Sequence, residues 1–397
     1  MKFHRPTVLS VFFAFVAFTV SGCVQLHPAK QVPVKDGRDA MFWQDEALAL
    51  IKKYQLNPLR ASRVLAYSHK GMYEARNEAR GQANAEPCVA VAVDYVASRT
   101  LDYFFPLETP GRLAAKAELR KAVAGDCSLA MSAASAVFVR IRSAAEQDGA
   151  FPPRKLRANP APLVGSWKAT PPVYIIHPAE PFAGDWKTFF ISRPAALRIP
   201  PPLDPQSPAY RAATVEVLEV TRRLSPLERQ AAEFWHLDAG SATPPGVWNL
   251  KLRELLSQDA NRNNNVNTDK NVDTLRLFAI FNMAMYDAMV ACWHYKYAFW
   301  TERPITASER LDLGAWSPPL VTPPFPGYPS GHATVSGAAA EVIAGYLPLH
   351  AATAHNWASE AAMSRLWGGI HFRFDNDEGL ALGKQVGAAA IAKMAPR

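Results

Sequence analysis

Cysteine is scarce in this chain, with four residues in 397 and no spacing among them that resembles a zinc site. Alternating apolar and polar runs are few, which leaves little material for a half-buried sheet. Lysines and arginines are scattered and not interleaved with aromatics, so the footprint of a nucleic-acid binder is missing and no nucleic-acid partner is expected. Beyond the first residues no long apolar stretch is free of charged or amide side chains: Arg276, Asn282 and Asp287 interrupt the longest. The main domain is therefore expected to be soluble and not embedded in a bilayer. Disorder is excluded as well, because 49% hydrophobic residues over this length support a substantial core.

What the chain does contain is helical periodicity. Apolar residues recur at three- and four-residue intervals and predict helices over 43–54, 59–80, 90–105, 112–145, 210–224, 227–235, 272–300, 332–346, 354–373 and 378–393. Between Pro152 and Pro208 lie 14 of the 33 prolines, which marks a long excursion over the surface. The run NRNNNVNTDKN, residues 261–271, is a second break. The segments on either side look related: RVLAYSHKGMYEA from Arg63 and RLFAIFNMAMYDA from Arg276 agree at five of thirteen positions. These features predict an all-α fold of two adjacent helical bundles in a pseudo-repeat, with an N-terminal bundle over 43–150, the proline-rich excursion over 151–208 and a C-terminal catalytic half over 209–397.

The N-terminus stands apart. Lys2, His4 and Arg5 precede the apolar run Val8 to Val20, which is too short to span a bilayer and is followed by Ser21, Gly22 and Cys23. This resembles a bacterial lipoprotein signal, with Val20 in place of the usual leucine. The resemblance implies a signal peptide over 1–22, acylation of Cys23 and a tether over 23–42; the absence of aspartate at position 24 resembles outer-membrane sorting. The expected location is exported and lipid-anchored, at the periplasmic face of the outer membrane, with the membrane as a partner through the anchor. In an oxidising compartment Cys88 and Cys127 are the favoured disulfide, since Cys292 lies in a strongly apolar helical segment; three buried free thiols are the alternative. The net charge of +8 favours anionic partners.

Residues with chemistry gather between Lys296 and Asp375. Lys296 closes a long helix and Arg303 follows just past it (KYAFWTERP); with Arg365 they offer one ammonium and two guanidiniums, a donor set suited to a tetrahedral oxyanion. Ser330 and Gly331 stand where a helix beginning near His332 leaves amides unpaired, a ready anion site. In SRLWGGIHFRFD, His371 and Asp375 are four apart, so they are expected to share a helix face, where the carboxylate orients the imidazole. Each piece alone is ordinary, as a helix end, a cap or a helical ion pair. Together they describe a site for a bound oxyanion.

These motifs resemble those of the superfamily that unites type-2 phosphatidic acid phosphatases with vanadium-dependent haloperoxidases. Their flanks, FNMAMYDAMVACWHYKYAFWTERPITA, TPPFPGYPSGHATVSGAAAEV and WASEAAMSRLWGGIHFRFDNDEG, look like the haloperoxidase branch, as do GSWKATPP and EFWHLDAGSATPPGVWN. The resemblance covers roughly residues 45–395. It implies that Lys296, Arg303, Ser330, Gly331, His332 and Arg365 hold vanadate or phosphate. It makes His371 the vanadium ligand or phosphorus nucleophile, Asp375 its orienting partner and His332 the acid-base group. Trp293 and Phe325 fall where related chloroperoxidases carry halide-site aromatics, or else they simply pack the core.

Three functions follow. The leading one is a vanadate-dependent haloperoxidase that oxidises halide with hydrogen peroxide, with vanadate as cofactor. The second is a soluble acid phosphatase acting on a phosphate ester through a phosphohistidine, with no cofactor. The third, from a different class, is a non-catalytic anion-binding lipoprotein, against which the acid-base residues His332, His371 and Asp375 argue.

Overall fold

The computed structural model describes residues 38–82, 86–108, 126–151, 159–262 and 273–394, of which 38–39 and 260–262 are described by backbone alone. The expected signal peptide, Cys23 and most of the tether lie outside the described residues. Among the described residues the protein is all-α, with twelve α-helices and no strand beyond a single β-bridge between Ser166 and Thr301.

Four helices open the chain: α1 (Arg38–Lys53), α2 (Pro58–Gly81), α3 (Glu86–Phe104) and α4 (Ser128–Glu146). Asn57 starts α2 by accepting from the Arg60 amide at 2.9 Å, with Pro58 in the first turn where its missing donor costs nothing. Leu50, Leu65, Met72, Val93 and Leu101 form one core between α1, α2 and α3, and Val96, Val137 and Ile141 another between α3 and α4. Cys88 and Cys127 are joined in a disulfide, so the expected pairing is present. The helix expected over 112–145 begins at Ser128 in the described part, and 109–125 lie outside it.

The remaining helices are α5 (Pro208–Arg222), α6 (Pro226–Phe234), α7 (Thr243–Arg262), α8 (Thr274–Phe299), α9 (Pro304–Arg310), α10 (Gly331–Tyr346), α11 (Ala351–Trp367) and α12 (Arg373–Met394). Helix α8 is the hub, packed against α2, α10 and α12. It is long and apolar enough to cross a membrane, but 94% of that stretch is buried inside the protein. Its polar interruptions are used internally: Asn282 and Asn249 exchange side-chain hydrogen bonds at 2.7 and 2.9 Å. Helices α10 and α12 touch backbone to backbone, and a Cβ on Gly383 would stand 2.0 Å from the Thr334 carbonyl.

Three local expectations are corrected. Helices α7 and α9 are absent from the expected set; Pro244, Pro245 and Pro304 sit in their first turns, where a missing donor costs nothing. The helix expected over 354–373 stops at Trp367, where Gly368 and then Gly369 at φ +71 turn the chain beneath Pro318 and Pro319. Its successor starts at Arg373 instead of 378.

From 159 to 207 the proline-rich excursion contains two short 3-10 turns, Ala183–Asp185 and Pro194–Ala196, and no α-helix. It is more than a surface wrap, because it is fastened to the hub. Buried Asp287 on α8 accepts the amides of Phe189 (2.8 Å), Phe190 (2.7 Å) and Ile191 (3.3 Å), while the Tyr286 hydroxyl donates to the Lys187 carbonyl at 3.1 Å. Residues of the excursion thereby reach the end of α8, where the charged groups lie.

Candidate active site

Lys296 sits in the last turn of α8, which Trp300 closes in a left-handed conformation, φ +54. Its side chain is fully buried, and Nζ donates to the carbonyls of Pro326 (2.9 Å) and Gly327 (2.6 Å). Arg303, at the start of α9, is equally buried: Nε donates to the Phe325 carbonyl (2.9 Å) and Nη1 to the Ile370 carbonyl (2.7 Å). Its Nη2 has no hydrogen-bond partner among the described residues. Arg365, in the last turn of α11, donates from Nε to Ser364 Oγ (2.9 Å) and from Nη2 to the Ala232 carbonyl (2.9 Å). The Phe325 ring lies 5.3 Å from Lys296 Nζ and 5.0 Å from Arg303 Cζ, so both cations are packed against one aromatic face.

The turn YPSGH brings the second group of donors. Ser330 caps α10, accepting from the Ala333 amide at 3.5 Å, and its own amide donates to the Asp375 carbonyl at 2.8 Å. That corrects the expectation that the Ser330 amide is open to an anion. The amides of Gly331 and His332 occupy the first turn of α10, where a helix supplies no backbone acceptor. A Cβ on Gly331 would stand 3.5 Å from Trp293 Cζ3 and 4.0 Å from Lys296 Cε, so the bare glycine keeps this turn close to both. His332 hydrogen-bonds to the Trp235 backbone, and its Nε2 is buried without a partner among the described residues.

His371 and Asp375 meet as expected but not on one helix face. His371 precedes α12, and Asp375 in the first turn of that helix reaches back to it, Nδ1 to Oδ2 at 2.8 Å, while also accepting the Phe372 amide at 3.2 Å. The carboxylate thus doubles as an N-terminal cap. With Nδ1–H donated to Asp375, His371 Nε2 carries a lone pair, and Arg303 Nη1 lies 3.0 Å from it.

The electrostatics of the cluster are lopsided. Three buried cations face one buried carboxylate. Burial lowers Arg303 to about 10 and Arg365 to about 9, and it lowers Lys296 as well. Burial, followed by the neighbouring arginine charges, holds His371 and His332 well below the ordinary imidazole value; it pushes Asp375 up, against the pull of Lys296 and Arg303. Burying charges without counter-charge is costly, and a bound anion would relieve each of these shifts on the cations at once. The cluster therefore has the donors, the positive field and the unsatisfied atoms of an oxyanion site, beside an imidazole lone pair.

Trp293 lines the same turn. Its ring centroid is 5.1 Å from that of Phe325, and its Nε1 donates to the Ala179 carbonyl at 3.2 Å. The sequence reading did not single out the groups that fasten the side chains, namely the carbonyls of Ala232, Pro326, Gly327 and Ile370 and the backbone of Trp235. Backbone atoms leave no residue-type signal. Asp238, whose charge raises Arg365 against the effect of burial, was missed too, although it sits in the EFWHLDAGS stretch.

Comparison with known proteins gives matches in both sequence and fold. The family described as the VCPO second helical-bundle domain matches residues 344–396. The vanadium chloroperoxidase of Curvularia inaequalis is 31% identical in an alignment of 151 positions that covers 33% of this chain and 24% of that protein. Among solved structures, the first bacterial vanadium-dependent iodoperoxidase superposes with a TM-score of 0.74 at 24% identity, over 92% of this chain and 98% of that one. The holo form of a bacterial vanadium-dependent chloroperoxidase gives 0.65 at 16% identity, over 90% and 95%. The chain has the fold of these bacterial enzymes, and over about a third of its length it is similar in sequence to the Curvularia enzyme, of which it spans about a quarter.

Proposed function

We propose that this homologue of the vanadium haloperoxidases is itself a vanadate-dependent haloperoxidase, taking hydrogen peroxide and halide as substrates. The observation that carries the reading is the buried triad Lys296, Arg303 and Arg365 around a histidine whose Nε2 lone pair is set by a carboxylate. The donor set fits vanadate: Arg303 Nη2 and His332 Nε2 are buried without partners, and three cations suit a multiply charged oxyanion. Bound vanadate would supply a pentavalent Lewis acid that activates peroxide without changing oxidation state.

The chain's own residues do the rest. His371 offers Nε2 as the protein ligand, and Asp375 keeps the proton on Nδ1. Lys296, Arg303 and Arg365 offset negative charge in a site shielded from bulk water, where such interactions are strongest. The Gly331 and His332 amides add donors at the helix terminus. His332 Nε2 accepts and returns the protons of peroxide and product, and its depressed basicity keeps it neutral and ready to accept near neutral pH. Trp293 and Phe325 wall the halide side.

The same pocket fits a phosphate ester, with His371 as nucleophile and His332 as acid and base. One experiment separates the two: the purified protein is assayed with and without vanadate, following halide oxidation by peroxide and phosphate release in parallel. Halide oxidation that requires vanadate is the expected result; phosphate release that vanadate inhibits would replace the proposal with the phosphatase reading. Anion binding with neither turnover would revive the non-catalytic one.

Two organisational readings accompany this one. The match between the sequences of α2 and α9's predecessor α8 supports two bundles related by a pseudo-repeat. Lys2 to Cys23 supports export and a lipid anchor, which mass spectrometry of the mature N-terminus would reveal as an acylated Cys23.

A further inference from the structure

Glu180, in the proline-rich excursion, takes a left-handed backbone conformation, φ +54, that is costly for a residue with a side chain and needs surrounding contacts to hold it. Those contacts come from the N-terminal helices. Arg60 on α2 grips the carboxylate with two bonds of 2.7 Å, Nε to Oε1 and Nη2 to Oε2, and Asn57 Nδ2 adds a third at 3.0 Å. Arg60 is fixed in turn, by the Ala150 carbonyl at 3.2 Å and by the Trp186 ring, whose centroid is 4.8 Å from its Cζ. A paired, bidentate arginine with this much support is a stiff element.

The residue before Glu180 touches the candidate site. The Ala179 carbonyl accepts from Trp293 Nε1 at 3.2 Å and from the Tyr297 hydroxyl at 2.6 Å, and the Ala179 amide donates to the Pro324 carbonyl at 2.9 Å, one residue from Phe325. Trp293 and Tyr297 are thus both bonded to the Ala179–Glu180 peptide, and the Ala179 amide ties the chain beside Phe325 to the same residue. The Trp293 atom that a Cβ on Gly331 would meet is Cζ3, on the ring edge. An aromatic edge is the positive part of the ring quadrupole, so its aim matters to an anion approaching there.

We propose that Glu180, held by Arg60 and Asn57, is a positioning residue for halide: it fixes the Ala179 peptide and through it the tilt of the Trp293 edge toward the halide approach. The proposal rests on the haloperoxidase reading. It gives the N-terminal helices, which hold none of the charged groups of the site, a role in how the site treats its smaller substrate, with no part in holding the larger oxyanion.

Glu180→Gly and Glu180→Gln in the full chain test it, with fluorotryptophan labelling and Trp293→Phe to assign the Trp293 fluorine resonance. Glycine removes the clamp and the left-handed strain together, so a residue that mattered only for folding would leave a sound enzyme. The expected result for Glu180→Gly is a halide KM raised about tenfold, with kcat and vanadate affinity within about twofold and a shifted or broadened Trp293 resonance. Glutamine keeps an acceptor for Arg60, and its KM should rise less. An unchanged halide KM and an unmoved resonance in Glu180→Gly overturn the proposal, and so does a loss of vanadate affinity in step with KM. If the parent protein oxidises no halide, the functional reading fails and the halide role fails with it; the resonance then decides separately whether the clamp orients Trp293.

Discussion

Arg303 Nη1 lies 3.0 Å from His371 Nε2, so the imidazole nitrogen required of a metal ligand faces a guanidinium donor, while Asp375 holds the opposite nitrogen at 2.8 Å. The histidine is bracketed by a donor and an acceptor, and only one tautomer satisfies both. Ligation would take the lone pair from Arg303 and leave that guanidinium for the anion's oxygens, in addition to its free Nη2.

His371→Ala should therefore abolish vanadate-dependent halide oxidation. Asp375→Ala should weaken vanadate binding by about 10- to 100-fold, the usual effect of losing the partner that orients a metal-bound histidine. Asp375→Asn, which can still accept from Nδ1, should lose less. Equilibrium dialysis against vanadate reads all three, and full retention of activity in His371→Ala would remove the assignment.

The disulfide lies apart from this chemistry. Cys88 in the first turn of α3 and Cys127 at the start of α4 are 39 residues apart, and closing a loop of that size restricts the unfolded chain by about 4 kcal/mol in the chain-entropy description. A Cys88→Ser, Cys127→Ser double variant should unfold at lower urea concentration. Its affinity for vanadate or phosphate should stay that of the parent, because among the described residues the hydrogen bonds of Lys296, Arg303, Arg365 and His371 go to other parts of the fold than α3 and α4. Equal losses of stability and anion affinity would show that the two regions are coupled.

The chemistry was more legible in the sequence than the backbone that presents it. Lys296, Arg303, His332, Arg365, His371 and Asp375 were found because rare residue types at fixed intervals stand out from an alanine-rich helical background. Their convergence follows from helix ends, which punctuation residues such as Ser330 mark. The failures share one cause. The periodicity predicts no helix at α7 or α9, where Pro244, Pro245 and Pro304 stand in first turns, and it runs a helix through the Gly368–Gly369 turn. A proline is compatible with the first turn of a helix and with a loop alike, so only tertiary packing decides. The Arg60–Glu180 contact spans 120 residues and carries no local pattern at all.

The close approach of α10 and α12 connects stability to the site. A Cβ on Gly383 would lie 2.0 Å from the Thr334 carbonyl and 2.8 Å from the Ala338 amide, both rigid backbone. Gly383→Ala must push the helices apart, at a cost of about 1–3 kcal/mol for overpacking and more if the backbone yields poorly. Because α10 begins at the Gly331 turn and α12 carries Asp375, the displacement should also lower anion affinity. Gly81→Ala, at a glycine with open space around it, is the control and should leave both properties alone. A Gly383→Ala protein with parental urea midpoint and parental vanadate affinity would contradict this account.

Asp287, which fastens the excursion to α8, should give stability a specific pH signature. Burial raises its carboxyl to about 7 from 3.8, even against three backbone amides that favour the ionised form. Between those values the folded state holds a proton that the unfolded chain releases. The group's contribution is therefore complete below 3.8 and is lost as pH rises through about 7, by about 4 kcal/mol at most. His69 works in the opposite sense: burial lowers it from 6.5 to about 4, so its contribution is complete above 6.5 and is lost as pH falls through about 4. Between about pH 4 and 6.5 the two groups therefore act with opposite sign and largely offset each other in the parent. In Asp287→Asn the proton is no longer exchanged, and an amide offers the three backbone donors a single oxygen, which costs about 1–2 kcal/mol at every pH. The urea midpoint of the parent relative to that of Asp287→Asn should therefore fall steadily from pH 4.5 to about 7 and level off above it. Parallel curves would mean that Asp287 stays ionised throughout and that its amide bonds outweigh burial.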